Sequence, residues 1–189
     1  MALKVQVKPA TPERWPDLEE FLDSQNPDEG CWCMFSRLKV SDFQANGKKG
    51  NKAALKALVD ANRVPGLIAY IGNKAVGWIS VAARAEYGRI DRSAIYKPID
   101  NKVAWAIVCL LVHTEHRREG ISGAMISAAT DYARAHGAEV VEAYPVETHG
   151  KEKPAQRLFY GTDTMYNKAG FKEAARHKVT RPIFRKSVK

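Results

Sequence analysis

The most constraining feature of the sequence is an apolar stretch, residues 102–112, that leads directly into a segment rich in arginine and glycine. The stretch is apolar on both faces, which is typical of a strand buried in the middle of a sheet. Its apolar run is about half the ~20 residues that a membrane-spanning helix needs. The next residues predict a helix over 120–136, which ends at Gly137 in the position that favours a left-handed cap.

The rest of the chain alternates between strand and helix patterns. Gly72-Asn73 is typical of a two-residue hairpin turn, and Thr11-Pro12 of a helix start. Further strands are predicted at residues 3–7, 66–71, 75–83, 138–144, 171–176 and 178–184, and helices at 11–24, 51–63 and 162–169. Residues 25–50 are expected to be irregular or to contain short helices. We therefore expect an α/β fold with a mixed sheet flanked by helices, in a single domain over residues 1–189.

The charge of the chain favours an anionic partner. Its 189 residues carry a formal net charge of +9, which suits nucleic acid or a ligand with several phosphates. The basic residues are spread along the chain without the compact block of a nucleic-acid arm, so nucleic acid ranks last. The first residues lack the apolar core of a secretory signal, and we expect a cytoplasmic protein with no membrane partner.

The cysteines do not predict a disulfide framework. Cys31 and Cys33 are too close in sequence for an unstrained bridge, and reduced thiols are the simpler interpretation. Together with His113 and His116 they form a poor zinc pattern, because Cys-x-Cys is not a usual zinc spacing, so we expect no metal. Cys109 lies in the apolar strand and fits a small buried hydrophobe better than a nucleophile.

The sharpest candidate site is the segment 112–123, where the central strand meets the predicted helix. A helix start presents unpaired backbone N–H groups and the positive end of the helix dipole, so it binds phosphate well. Gly120 and Gly123 let a ligand approach the backbone, and Arg117 and Arg118 add positive charge. The glycine spacing differs from that of dinucleotide-binding and Walker loops. The segment therefore predicts a phosphate cradle of another type.

Two motifs carry a resemblance to a known family. Residues 110–114 read Leu-x-Val-x-Thr, and residues 117–122 read Arg-x-x-Gly-x-Ser. Residues 166–171 read Tyr-x-Lys-x-Gly-Phe. Together they resemble the GNAT family of N-acetyltransferases over roughly residues 65–184, with Thr114 and Ser122 departing from the family's proline and glycine or alanine. Phe159 stands where many members carry an asparagine that contacts the pantetheine arm.

The resemblance implies a mostly antiparallel mixed sheet whose two central strands splay apart. It also implies direct transfer of an acetyl group from acetyl-CoA to a primary amine. The amide of Leu110 would face the acetyl carbonyl, where a donor stabilises the developing oxyanion, and Tyr166 would protonate the leaving thiolate. The residues assigned to acetyl-CoA are Leu111, Val112, Arg117, Arg118, Glu119, Gly120, Ile121, Ser122 and Gly123.

The acceptor side is less closely defined. Glu86 and Tyr87 follow the third strand, near where an acceptor should enter, and Trp32 forms either an apolar wall over the acceptor or part of the core. The loops 84–101 and 145–159 are long enough to be binding loops. Candidates for the general base are Glu86, Tyr87, Asp91, Glu142, His113 and a chain of water molecules. We expect a small-molecule amine in preference to a protein, and a homodimer stays open.

Two other classes of function stay open from the sequence alone. One is a CoA-binding or sensor domain that keeps the cradle and lacks turnover. The other, ranked lower, is a basic nucleic-acid-binding module, whose binding would weaken steeply with salt and be indifferent to CoA.

Overall fold

The computed structural model describes residues 4–25, 30–149 and 158–189. The strands in these ranges are β1 (Val5–Pro9), β2 (Leu67–Ile71), β3 (Lys74–Ala83), β4 (Ala104–Val112), β5 (Val140–Ala143), β6 (Lys172–Lys178) and β7 (Arg181–Ser187). The α-helices are α1 (Trp15–Gln25), α2 (Val40–Asp60), α3 (Gly88–Asp91), α4 (Ile121–Ala135) and α5 (Asp163–Lys168). Short 3-10 turns lie at Pro12–Arg14, Arg84–Glu86 and Thr114–His116. Leu3, where the first strand was predicted to begin, and part of the predicted loop 145–159 lie outside the described residues.

The strands form one sheet in the order β1-β2-β3-β4-β5-β7-β6. Every neighbouring pair is antiparallel except β4 and β5, which run parallel. The connection between these two strands includes α4, as a parallel pair requires a crossover. The prediction of a mixed, mostly antiparallel sheet flanked by helices is confirmed.

The parallel pair β4 and β5 separates halfway along β4. Their register runs from Ala104 opposite Val140 to Ile107 opposite Ala143, whereas β4 continues to Val112 beside β3. The register of β3 on β4 also shifts at this level, because Ser80 faces Cys109 and Val81 faces Ile107. Such a bulge bends a strand and increases its twist. Residues 108–112 therefore leave β5 while still paired with β3.

Apolar layers cover both faces of the sheet. On one face, α4 buries Ile121, Met125, Ile126 and Ala129 against β3 and β4. On the other face, α1 and α2 form a second core with Trp15, Leu18, Leu55, Val59 and Trp78. The spacing of these buried positions is that of amphipathic helices. The separated end of β4 thus belongs to a sheet that helices cover on both faces.

The main difference from the sequence prediction concerns α2. The helix begins at Val40, inside the region predicted to be irregular, and it contains a break at Gly47, which has φ 55° and ψ −165°. The break divides the helix into two runs. Glycine adopts this conformation readily, which explains why the sequence pattern indicated only the second run.

Candidate active site

The predicted phosphate cradle forms between the end of β4 and the start of α4. The chain leaves β4 through the 3-10 turn, reaches Arg118 at φ 68° and Gly120 at φ 81°, and enters α4 at Ile121. No side chain caps the helix at Gly120. The N–H groups of the first helical turn have no carbonyl partner within the helix. The left-handed turn therefore presents a row of backbone donors at the positive end of the α4 dipole.

The surroundings of this turn suit an anionic ligand. A Cβ atom built on Gly120 or Gly123 meets no described atom within 4 Å, so the backbone is open to close approach. Arg117 and Arg118 are exposed. Glu119, one of the two acidic residues of the segment 112–123, has its carboxylate 3.0 Å from Nδ1 of His116. The residues that the sequence assigned to the phosphates of CoA therefore lie together and fit that group.

Residues 158–162, here called the bridging segment, lie between the separated strands. The amide of Leu110 donates to the carbonyl of Phe159 at 2.7 Å, and the amide of Val146 donates to the carbonyl of Gly161 at 2.9 Å. The bridging segment thus touches both β4 and the chain that follows β5. The Leu110 N–H, which the sequence assigned to the acetyl carbonyl, already has an acceptor in this structure.

Tyr166 on α5 lies behind the bridging segment. Its side chain is fully buried and packs edge-on against Phe171, with ring centroids 5.2 Å apart. Its hydroxyl finds no hydrogen-bond partner among the described residues. A Cβ atom on Gly161 would lie 2.9 Å from the Tyr166 ring, so the segment passes directly over it. Burial, with a smaller contribution from Cys109, raises the pKa of Tyr166 well above its usual value.

The three residues predicted to bind the acceptor are engaged in contacts with other described residues. Trp32 is buried and stacks on Trp15 with ring centroids 6.0 Å apart. The Glu86 carboxylate is 3.0 Å from Arg37 and 2.8 Å from Arg63. The Tyr87 side chain is also buried, with its hydroxyl 3.0 Å from that of Ser80, and burial raises the pKa of this phenol to about 12.

The region between α3, the chain after β5 and the β6–β7 turn forms a cleft of about 760 Å³. Its described lining residues are Phe35, Arg89, Ile90, Ser93, Ile95, Tyr96, Val146, Glu147, His149, Phe159, Tyr160, Thr180 and Arg181. Phe159 and Tyr160 belong to the bridging segment, so the cleft adjoins the segment that contacts β4. The sequence predicted acceptor binding in the loops 84–101 and 145–159, the first of which contains Arg89, but no motif distinguished Arg89 from the other polar residues there. Tyr160 lies just outside the second loop and carries no sequence signal.

Glu142, one candidate for the general base, is fully engaged in a buried ionic network. It accepts hydrogen bonds from Arg84 Nε at 3.1 Å, Arg185 Nε at 2.8 Å and the Tyr144 hydroxyl at 2.8 Å. Arg185 also contacts Asp100 at 2.7 Å. The carboxylate is therefore surrounded by donors, and its geometry is that of a structural anchor between β5 and β7.

The side chains of Cys33 and Cys109 meet on the face of the sheet that α1 and α2 cover. Their sulfur atoms lie 3.0 Å apart, and Trp78 Nε1 donates to the Cys33 sulfur at 3.0 Å. The hydrogen bond with Cys33, together with burial, raises the pKa of the Cys109 thiol well above its usual value. A thiol held in this form is a weak nucleophile, which favours the packing interpretation of Cys109.

Within the described ranges, no group of three or more His, Cys, Asp or Glu side chains could hold a metal ion. Likewise, no helix in those ranges is both long and apolar enough to span a bilayer.

The sheet opens between the parallel strands β4 and β5, and the diverging strand β4 leads into a helix start that can bind an anion. This arrangement is that of an acetyltransferase-type α/β protein. The chain belongs to the acetyltransferase (GNAT) family, whose family model matches residues 15–161. The predicted family resemblance is therefore confirmed.

Solved structures share the fold at low sequence identity. A GNAT-family acetyltransferase from Listeria monocytogenes has 11% identity and a TM-score of 0.61, with 98% of this chain and 95% of the other covered. One from Streptococcus agalactiae has 13% identity and a TM-score of 0.58, with 97% and 95% covered. PaiA N-acetyltransferase from Thermoplasma acidophilum, solved in complex with coenzyme A, has 14% identity and a TM-score of 0.54, with 97% and 99% covered. No curated protein matches the chain.

Proposed function

We propose that this protein transfers an acetyl group from acetyl-CoA to a primary amine of a small molecule. One observation carries the proposal. Strand β4 diverges from β5 after Ile107, and the chain that follows β4 leads into the open, left-handed turn at Gly120. A single element thus connects the separated strands with an anion cradle. The acetyltransferase from Thermoplasma acidophilum that binds coenzyme A shares this fold.

Acetyl-CoA would supply the acyl group as an activated thioester. The amides of residues 118–123 and the guanidinium groups of Arg117 and Arg118 would hold its phosphates. The edge of β4 at Leu111 and Val112 would pair with its amide arm. The Leu110 N–H would stabilise the negative charge that develops on the acyl oxygen, which requires the Phe159 carbonyl to release it.

Tyr166 would protonate the sulfur that leaves. Its buried hydroxyl has no described partner and stays protonated, because burial raises the pKa of this phenol. A positioned general acid typically contributes roughly 10²–10⁴-fold to the rate, and most when its pKa lies near the working pH. On the acceptor side, the imidazole of His149 lines the cleft and can accept a proton from the incoming amine. We place the reaction in the cytoplasm, where the three thiols would stay reduced.

The cradle is tested with Gly120→Asp. An aspartate at this position sets a negative charge against the phosphates and occupies the open space above the turn. We expect CoA affinity, measured by calorimetry, and thiol release with a panel of amines to fall at least about tenfold. The matched control is Gly137→Asp, at the other end of α4. Gly137 has φ 87° and equally open surroundings, so this variant carries the same backbone strain and charge.

Equal losses of CoA affinity in the Gly120 and Gly137 variants would show that strain or net charge is responsible, and would refute the cradle. Unchanged affinity in Gly120→Asp would refute it as well. Release of free thiol from acetyl-CoA by the wild-type protein, dependent on an added amine, is the outcome that supports turnover.

A CoA-binding domain without turnover is the second candidate. The observation that favours it is the Leu110 N–H, which already donates to Phe159. If the bridging segment keeps this bond when CoA binds, the oxyanion donor is lost. Tight CoA binding with no thiol release toward any amine would support this candidate over the enzyme.

A further inference from the structure

The cleft beside the bridging segment carries positive charge that its own carboxylate does not offset. Arg89 and Arg181 line it, and neither forms an ion pair with a described residue. Glu147 lines it too, but both of its oxygens are bound by Arg176, at 2.8 Å from Nη1 and 2.8 Å from Nη2. The carboxylate of the cleft is thus already paired, through an arginine that also binds Glu173. The two unpaired arginines favour an occupant with a negatively charged group.

Arg89 is held in position without being neutralised. Its backbone amide donates to the carbonyl of Ser36 at 3.1 Å, which anchors the start of α3. Its guanidinium carbon lies 3.8 Å from the centroid of the Phe35 ring, so one face of the group is stacked. Nε and Nη2 are buried, and neither has a hydrogen-bond partner in the part of the chain that the structure describes.

These two nitrogens form one edge of the guanidinium group. That edge is the one that binds a carboxylate through two parallel N–H···O bonds. Leaving two charged donors buried and unpaired is costly, and a ligand that supplies two acceptor oxygens removes this cost. Chloride or a single hydroxyl would satisfy the edge less well, because neither matches its two-donor geometry.

We propose that the acceptor is an amine that also carries a carboxylate, and that Arg89 binds this carboxylate. The inference rests on the proposed function, since it names the substrate class of the same reaction. Phe35, Tyr96, Phe159 and Tyr160 surround the charge with aromatic surface. The chemistry therefore fits a small amino acid or amino-carboxylic acid with an apolar or aromatic body. Because this edge is buried, binding requires the side chains that cover it to change rotamer, as interface side chains commonly do.

The experiment compares acids with their carboxamides. The probes are para-(aminomethyl)benzoate against para-(aminomethyl)benzamide, and L-phenylalanine against L-phenylalaninamide. In the first pair the ring separates the two groups, so the amine is nearly equally basic in both compounds. We expect kcat/KM for the acid to exceed that for the amide by about tenfold or more with at least one pair, as the loss of a charge-assisted bond predicts.

Three variants locate the effect. Arg89→Met removes the charge and should abolish the preference for the acid. Arg89→Lys keeps the charge without the two-donor edge and should reduce the preference in part. Arg92→Met is the matched control, because Arg92 is an exposed arginine just past α3 that is absent from the cleft lining, and it should leave the preference unchanged. Thermal melting and CoA affinity confirm that each variant is folded.

Equal use of acid and amide by the wild-type protein overturns the proposal, and so does a preference that persists in Arg89→Met. These results leave the acetyltransferase proposal standing. If no amine is acetylated, the proposed function fails, and calorimetry of the same four probes with the CoA-bound protein decides the carboxylate site separately. Binding of the acids alone, lost in Arg89→Met, supports the site; equal or absent binding overturns it.

Discussion

At the scale of single residues, Tyr166 combines two properties that rarely occur together. Its side chain is fully buried, yet its hydroxyl lacks a described partner. A buried, unsatisfied hydroxyl lowers the stability of the fold by roughly 1–3 kcal/mol relative to an apolar group. A residue kept for packing alone would be better served by phenylalanine. The hydroxyl is therefore explained more simply by chemistry than by structure.

Replacing Tyr166 by phenylalanine should separate these roles. We expect Tyr166→Phe to reduce kcat by roughly 10²–10⁴-fold, because the leaving sulfur loses its proton donor. The free energy of unfolding in urea should rise by roughly 1–3 kcal/mol, because the unpaired hydroxyl disappears. CoA affinity should be unchanged.

The control for this prediction is Tyr132→Phe. Tyr132 lies on α4 and stacks on His136 with ring centroids 4.0 Å apart. Loss of the Tyr132 hydroxyl should leave turnover unaffected. Normal turnover in Tyr166→Phe would mean that the acid lies elsewhere or that the thiolate leaves without assistance.

At the scale of secondary-structure elements, one buried network joins β5, a member of the splayed pair, to β7 and to the chain after β3. Arg84 follows β3, Glu142 lies in β5 and Arg185 lies in β7. The side chain of Glu142 is only 1% exposed, and that of Arg84 is 7% exposed. Such a pairing is satisfied as a set and unfavourable when one member is removed. The network therefore holds β5 and β7 together next to the place where β4 separates from β5.

Glu142→Gln should therefore be strongly destabilising. Two arginines would face a neutral amide, and the expected loss is about 3–5 kcal/mol in the free energy of unfolding. Asp131→Asn serves as the control, since the Asp131–Arg134 pair on α4 is exposed on both sides, at 59% and 61%. That variant should change stability by about 0–1 kcal/mol. Equal effects in chemical unfolding would show that the Glu142 network contributes no more than a surface pair.

The difference between α4 and this network explains how far sequence alone can reach. The strand into α4, the turn at Gly120 and the cap at Gly137 are specified by neighbouring residues, so local patterns predicted them. The Arg84–Glu142–Arg185 network and the Arg89–Phe35 contact join residues that are far apart in sequence. A charged residue in a strand or loop has the same local pattern whether it becomes a solvated side chain or a buried anchor.

The acceptor side shows the same limit. Glu86 and Tyr87 were predicted from their position after the third strand, which is a statement about chain order. Their environment depends on Arg37 and Ser80, which only the folded chain brings near. The cofactor half was more predictable because helix starts bind phosphate through local backbone, whereas an acceptor cleft is assembled from several distant loops.

At the scale of the whole molecule, part of the positive charge behind the formal net charge of +9 lies around the candidate site. Arg117 and Arg118 flank the cradle, and Arg89 and Arg181 line the cleft. Both sites adjoin the part of the molecule where β4, the bridging segment and the chain after β5 meet. An anionic cosubstrate and the carboxylate group of the acceptor would thus both be attracted to this region. We expect the apparent affinity for the cosubstrate to fall as ionic strength rises, because Arg117 and Arg118 are exposed. The affinity for the acceptor should fall less, because the Arg89 edge is buried.

The buried tyrosines make the stability of the whole molecule sensitive to alkaline pH. Burial is the largest cause that raises the pKa of both Tyr87 and Tyr160 to about 12, from an ordinary value of 10.0. Above about pH 10 the unfolded chain releases these protons while the folded protein keeps them. The stability that is fully present below pH 10 is therefore lost as the pH rises toward 12, by at most about 1.4 kcal/mol per pH unit for each tyrosine.

Urea unfolding at several pH values from neutral to alkaline should show this decline, and Tyr160→Phe should make it shallower. Tyr132→Phe, at a half-buried position, should alter the slope less. An identical slope in the wild type and in Tyr160→Phe would mean that Tyr160 ionises alike in the folded and unfolded states.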